Sequence, residues 1–423
     1  MRIRLAYGKN GLNIDLPDNS NPAVLEPRYV AGLPDPASAV RDALRNPIGS
    51  QPLKSLVKPG DKVGIVFSDI TRPVPNRLLL PLLFEELGAL PEERIVLFNA
   101  TGTHRQNTDK ELREMLGDDI VGRYRIVQND ANDRGSHTLV GRSSQGNDIW
   151  LLEEFVRCRV KILTGFIEPH FFAGFSAGGK AVMPGLALLQ TINRNHDAEK
   201  MDNPHSRWGI TVGNPVWEEV REAARMVSPS FLLNVTLNRD KQVTGIFAGD
   251  WEKAHQQGCE FVRSQAMLPV REQYDIVIST NSGYPLDLNV YQSVKGMSAA
   301  ANVVREGGSI VMAADCWDGI PEHGEYWKML LEAGDIKTLL RTIRTPGFQR
   351  QDQWEAQIQA LICQKAEVWF YSDNLTDTQI ESALLRPCRS IERTVEKLLE
   401  KYGPQASVCV LPEGPQTVPY LAG

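Results

Sequence analysis

Cysteine and histidine are scarce in this chain, with six and seven residues respectively among 423. The cysteines (Cys158, Cys259, Cys316, Cys363, Cys388 and Cys409) are scattered, and no two form a Cys-x-x-Cys pair. That argues against a zinc ribbon and against a disulfide framework, and favours a reduced, cytoplasmic compartment. No His-x-x-x-His occurs either, so a metal site made only of protein ligands looks poor. Basic charge is short: 46 Lys and Arg face 52 Asp and Glu, a net charge of −6. A nucleic-acid binder usually shows a basic face, so that class of partner is disfavoured. No apolar run is long enough to span a bilayer. The opening MRIRLAYGKNGLNIDLP alternates like a strand and lacks the apolar centre of a signal peptide.

What is present is ordinary globular material, 42% hydrophobic and 23% charged, at a length that suits two domains. Apolar, β-branched runs alternate with helix-like stretches. KVGIVFSD, RIVLFNATG, YRIVQND and VKILTGFIEPH read as strands, and NRLLLPLLFEELGAL between the first two as an amphipathic helix. This order predicts mainly parallel sheets covered by helices, an α/β fold. GCEFVRSQAMLPVREQ then reads as a helix entering a linker. A second alternation follows: strand YDIVISTNSG, a helix around VYQSVKGMSAAANVV, and strands GGSIVMAAD, VWFYSD and SVCVLPEG. The expected division is a first α/β domain over 1–268 and a smaller one over 274–410, with a tail, 411–423, returning to the first. Open α/β sheets bind ligands beyond the carboxyl ends of their strands.

Candidate chemistry sits at those ends. In SDITRPVP, Asp69 and Arg72 are three apart on a loop stiffened by prolines. Arginine suits bidentate recognition of a carboxylate; a structural Asp–Arg pair is the plain alternative. NATGTHRQ places Thr101, Gly102 and His104 on the next turn. Small residues there let backbone amides approach an anion, and a histidine can act as a general base near neutrality. IEPHFFAGFSAGGKAVMPG holds His170, Gly178, Gly179 and Lys180. The P-loop pattern fails, because Ala181 stands where Ser or Thr would hold magnesium. A lysine among glycines and apolar residues is a candidate nucleophile or covalent anchor, or simply reaches solvent. NRNHD carries His196, which could ligate a metal only if a cofactor supplied the other donors. On VYQSVKGM, Tyr291 and Lys295 are i and i+4 and share a helix face, with Gln292 beside them.

Taken together, Ser68-Asp69-x-Thr71-Arg72-Pro73, Thr101-Gly102-x-His104-Arg105, Glu168-Pro169-His170, Gly178-Gly179-Lys180-x-x-x-Pro184-Gly185, His196 and Tyr291-Gln292-x-x-Lys295 resemble the motifs of the nickel-dependent lactate racemase (LarA-like) family. The motifs cover most of the chain, in the family's order. The resemblance implies an isomerase that racemises or epimerises 2-hydroxy acids with a nickel-pincer nucleotide, loaded by cofactor-synthesis enzymes. It implies that Lys180 tethers the cofactor, unless binding is noncovalent, and that His196 is the protein's nickel ligand. Asp69, Thr101, Gly102, Gly178 and Gly179 would support the cofactor site. His104 and His170 would be the acid–base pair. Arg72, Gln292 and Lys295 would hold the substrate carboxylate, with Tyr291 and Trp354 near the substrate.

That chemistry makes sense of two histidines. A carboxylate stabilises a neighbouring carbanion poorly, so removal of hydride from Cα, with loss of the hydroxyl proton, is the easier route. Mirror-related substrates present their hydroxyls in two places, and one base cannot reach both. Lys295 lies in the second domain, so an interdomain cleft is expected to hold the site. Lactate, malate and larger 2-hydroxy acids all remain open: Arg194 would suit a dicarboxylate, and Phe171-Phe172 a larger apolar group. Two other readings compete. One is a noncatalytic nucleotide- or cofactor-binding protein. The other is a Schiff-base enzyme using Lys180 without nickel.

Overall fold

The computed structural model describes residues 1–422 apart from Ala89, Glu322 and His323. Ala89, at the end of the expected NRLLLPLLFEELGAL helix, and the final Gly423 therefore lie outside the described residues. The chain forms two compact units. One comprises residues 29–195 and 203–264, the other residues 1–28, 196–202 and 265–423.

The first unit is built on a six-stranded sheet. Its strands are β1 (Val63–Ser68), β2 (Ile95–Ala100), β3 (Arg125–Gln128), β4 (Val160–Phe166), β5 (Phe231–Leu237) and β6 (Val243–Gly249). Their order is β6-β5-β4-β1-β2-β3, parallel throughout except for the β5–β6 pair. β1, β2 and β4 read as near-continuous apolar runs because both faces of a parallel sheet are covered. Their side chains Ile65, Phe67, Leu97 and Ile162 share one core with Leu79 and Leu83 of α1 (Asn76–Leu87). The register pairs Ser68 with Ala100, so β1 and β2 end level. Loops starting at Asp69 and Thr101 therefore leave the same edge of the sheet. The remaining helices that concern the site here are α2 (Leu189–Asn195), α3 (Pro215–Val227) and α4 (Trp251–Ala266). α3 starts where Asn214 accepts hydrogen bonds from the Val216 and Trp217 amides, with Pro215 at its first position.

In the second unit, β7 (Tyr274–Thr280), β8 (Val304–Ala313), β9 (Glu367–Tyr371), β10 (Arg386–Pro387) and β11 (Val408–Leu411) form a sheet ordered β10-β9-β8-β7-β11. The short strand Ala23–Val24 adds to its edge beside β11, and every pairing is parallel. Its helices include α5 (Val290–Ala301) and α6 (Gln353–Lys365).

The division differs from 1–268 and 274–410. The opening alternation is a hairpin, Arg2–Leu5 against Leu12–Asp15, whose Ile3, Leu5, Ile14 and Leu16 share a core with Ile276, Ile278 and Val311. The tail strand Val418–Leu421 pairs with Met267–Val270, again in the unit holding the C-terminal half. An alternating strand carries no label saying which core it will join, so sequence order misassigned these pieces. Among the described residues, no helix is long and apolar enough to cross a membrane.

Candidate active site

Just past β1, Asp69 is buried, with 4% of its surface exposed. Its Oδ1 accepts from Thr71 Oγ1 at 2.6 Å, and its Oδ2 lies 2.6 Å from His104 Nδ1. Burial alone would raise the carboxyl's pKa. The charge of His104 and its hydrogen bond, helped by Arg72 and Thr71, outweigh that and leave it below the usual carboxylate value. An ionised carboxylate can only accept, so His104 Nδ1 carries the proton and Nε2 is the atom left for chemistry. Asp69 is thus placed to orient His104.

The turn after β2 delivers His104. Gly102 has φ of +57°, a left-handed conformation natural to glycine, and its N–H donates to Gly185 O at 3.1 Å. Thr101 Oγ1 donates to Asn129 O at 2.9 Å, which commits its proton to the backbone. Arg72 Nη1 donates to Thr71 Oγ1 at 3.0 Å, while its Nε is 3.5 Å from Glu168 Oε1. Glu168, quoted in the sequence motif without a role, is the residue beside the proposed carboxylate-binding arginine.

His170 does not end β4. The strand stops at Phe166, and His170 stands in a two-residue hairpin arm, Pro169–His170 against Gly174–Phe175. That turn needs Gly174: φ is +79°, and a Cβ would meet Ile210 O at 2.3 Å. The His170 imidazole is buried in an aromatic setting, stacked on Phe171 (4.9 Å between centroids) and edge-on to Phe172 (4.5 Å). The Ala173 N–H makes a long contact, 3.4 Å, to its Nδ1. Trp208 extends this wall from Phe171 at 6.0 Å. Arg194, by contrast, is exposed.

Lys180 lies on a 3-10 turn, Gly178–Ala181, half-buried, with Nζ 5.3 Å from the Phe172 ring centroid. The glycines before it face protein. A Cβ on Gly178, whose φ is +55°, would sit 2.6 Å from the His255 ring. One on Gly179 would meet Ala224, Trp251 and Val220 at 3.3 Å. Close packing against α3 and α4 favours glycine at both positions. His255 was missed in the sequence; the spacing His255–Cys259 on one helix face was its available signal. Its Nε2 reaches Ser176 O at 2.8 Å, and its ring stacks on Trp217. Burial pulls its pKa down to about 4, so it is a neutral strut under the lysine loop.

The other unit holds the remaining candidates. His196 is buried, 2% exposed, and its ring lies edge-on to Trp354 of α6, 4.8 Å away. Trp354, expected near substrate, packs against His196, the proposed metal ligand. Burial pushes the Tyr291 hydroxyl well above its ordinary pKa, with Asp352 and Glu355 adding to the rise and a hydrogen bond from Trp354 opposing it. On α5, Asn289 caps the helix by accepting from the Gln292 amide at 3.0 Å. Lys295 Nζ donates to Gln292 Oε1 at 2.6 Å. The lysine therefore pairs with the glutamine one turn back, and the two present an ammonium and a carboxamide together. Among the described residues, no group of three or more His, Cys, Asp or Glu could hold a metal ion.

The loop after β2 carries a carboxylate-oriented histidine, and the segment between β4 and α2 carries a second histidine and a half-buried lysine, residue types suited to proton transfer on an α/β fold. Comparison with known proteins identifies the family. Models of the lactate racemase N-terminal and C-terminal domains match residues 7–209 and 270–418. The chain belongs to the lactate racemase family and is an isomerase. It is 39% identical to the lactate racemase of Lactiplantibacillus plantarum over 378 residues, 89% of each chain. It is 34% identical to that of Thermoanaerobacterium thermosaccharolyticum over 418 residues, 97% of each. The solved lactate racemase apoprotein from the latter organism superposes with a TM-score of 0.92, covering 99% of this chain and all of that one. A Thermotoga maritima protein, 18% identical with a TM-score of 0.72, shares the fold.

Proposed function

We propose that this enzyme interconverts the enantiomers of a 2-hydroxy acid, with lactate, the substrate in its relatives' name, as the first choice. The observation that carries this reading is the Asp69–His104 pair, 2.6 Å apart, in a unit that also supplies His170. A racemase needs a proton acceptor for each enantiomer; a storage protein needs none. The residues also fit a nickel-pincer nucleotide. A lone buried histidine cannot hold a metal by itself, but it suits one whose other donors arrive with an organic group. In this reading His196 ligates the nickel and Lys180 tethers the nucleotide. When bound, the group supplies hydride-acceptor chemistry that no side chain of this protein has.

The protein's own residues do the rest. Arg72, Gln292 and Lys295 hold the substrate carboxylate by charge and hydrogen bonding, so that it stays fixed while the other substituents exchange. His104 Nε2 accepts the hydroxyl proton when its enantiomer is the substrate and donates one when that enantiomer is the product, oriented throughout by Asp69. His170 does the same for the other enantiomer. The aromatic wall of Phe171, Phe172 and Trp208 keeps water from that imidazole. It supports an uncharged substrate side chain over a second carboxylate, since Arg194 is exposed. All six cysteines are free and five are buried, which suits a reducing cytoplasm where cofactor-synthesis enzymes load the protein.

The test is a chirality-sensitive screen of 2-hydroxy acids with cofactor-loaded protein. Loss of optical activity from either lactate enantiomer is expected. Loaded protein that racemises no 2-hydroxy acid would sink the reading.

A further inference from the structure

Glu219, on α3, is wholly buried, with 0% of its surface exposed, yet it is a carboxylic acid. Burying such a group is costly unless it is fully engaged. Its Oε1 accepts from Ser143 Oγ at 2.7 Å. Its Oε2 accepts from Asn147 Nδ2 at 3.2 Å and from Asn195 Nδ2 at 2.8 Å. All three partners are buried. Asn195 is the last residue of α2, and His196 follows it directly.

α2 has seven residues, too few for a helix to be stable by itself. Its position must come from tertiary anchors, and these are visible. Thr191 O accepts from Asn147 Nδ2 at 3.0 Å, and Thr191 Oγ1 bridges Asp148 O (2.8 Å) and the Trp150 N–H (3.0 Å). Asn195 Nδ2 also reaches Val216 O at 3.2 Å. Glu219 is the hub: it joins Asn147, which grips the middle of α2, to Asn195, which ends it. After His196 in sequence, Gln357 Nε2 of α6 donates to Ala198 O and to Asp202 Oδ1, at 3.0 and 2.9 Å, and Trp354 packs on the His196 ring.

We infer that Glu219 is a positioning residue for nickel binding, fixing the backbone at Asn195 so that the His196 imidazole is held where a ligand must stand. The inference rests on reading His196 as the nickel ligand. Sites of this kind tolerate displacements of only about 0.5 Å, and loss of a group that orients a ligand costs roughly 10- to 100-fold in metal affinity. A purely structural Glu219 would change melting temperature and leave metal retention alone.

The experiment compares wild type, Glu219→Gln, Asn195→Ala and His196→Ala, each loaded by co-expression with cofactor-synthesis enzymes. Nickel per chain, nickel loss to excess EDTA, and melting temperature are measured. Wild type should hold nickel and His196→Ala should not. Glu219→Gln, nearly isosteric, should fold and lose nickel about tenfold faster or more. In the apoprotein, hydrogen exchange across 189–202 should rise in the same variant. If His196→Ala keeps wild-type nickel, the ligand assignment fails and this inference falls with it. If His196→Ala is depleted while folded Glu219→Gln loses nickel within twofold of wild type, the ligand assignment stands and the inference is overturned. Should Glu219→Gln not fold, Asn195→Ala, which keeps Glu219 and removes the Asn195 bonds to Glu219 and Val216, decides by the same criterion.

Discussion

Asp69→Asn is the sharpest probe of the catalytic machinery. The substitution is isosteric, and Thr71 can still donate to Oδ1. It changes what His104 feels. In the wild type the carboxylate accepts from Nδ1 at 2.6 Å, leaving Nε2 bare to take a proton. An amide can instead turn its N–H₂ toward Nδ1, which favours the tautomer with hydrogen on Nε2 and removes the base. The lost hydrogen bond to a charged group is worth about 1.5–3 kcal/mol, a fall of roughly 10- to 150-fold in kcat/KM; the tautomer change adds to that. The equilibrium constant of a racemisation is unity, so the loss must be equal starting from either enantiomer. Progress curves from each lactate enantiomer, followed by chiral chromatography, read the effect, with nickel per chain and melting temperature as controls. A loaded, folded variant within twofold of wild type would refute the argument that Asp69 sets the tautomer of His104.

Gly178→Ala should destabilise the protein. A left-handed backbone costs a non-glycine residue about 1–2 kcal/mol, and a methyl 2.6 Å from the His255 ring adds overpacking of about 1–3 kcal/mol. Denaturant unfolding showing less than about 1 kcal/mol of loss would contradict the packing role. His255 itself predicts an acid dependence. Its native pKa, about 4, lies below its ordinary 6.5, so the unfolded chain binds the proton first. Stability is unaffected by this group above pH 6.5 and declines as pH falls from there toward 4, by on the order of 3 kcal/mol. Unfolding free energies measured across that range in wild type and His255→Phe should differ in slope. Parallel curves would dismiss His255 as the cause.

Most strands of both sheets were legible because a parallel sheet covered on both faces writes itself as short apolar runs such as VGIVFS and IVLFNA; β5, β6, β10 and Ala23–Val24 were not read. The loops at their ends were legible as candidate chemistry for the same reason, since a strand that stops in Ser-Asp or Thr-Gly-Thr-His leaves polar groups at the sheet edge. Roles were harder. The glycines Gly178 and Gly179 were expected at the cofactor; that they also have to clear His255 and Trp251, some seventy residues later, was not readable. The contact of Trp354 with His196 was not readable either. Glu219, with no motif around it, drew no notice, because an acid on an amphipathic helix normally faces water.

The chain by itself determined the α/β class, most of the strands and the residue types available for acid–base and carboxylate chemistry. These follow from local periodicity and from side-chain chemistry, which each short segment carries alone. Only the tertiary structure decided which groups share a hydrogen bond or a core. It set Asp69 on His104, gathered Asn147 and Asn195 around Glu219, and moved residues 1–28 to the unit of the C-terminal half. Such pairings depend on close approach between segments far apart in sequence, and no local pattern encodes that distance.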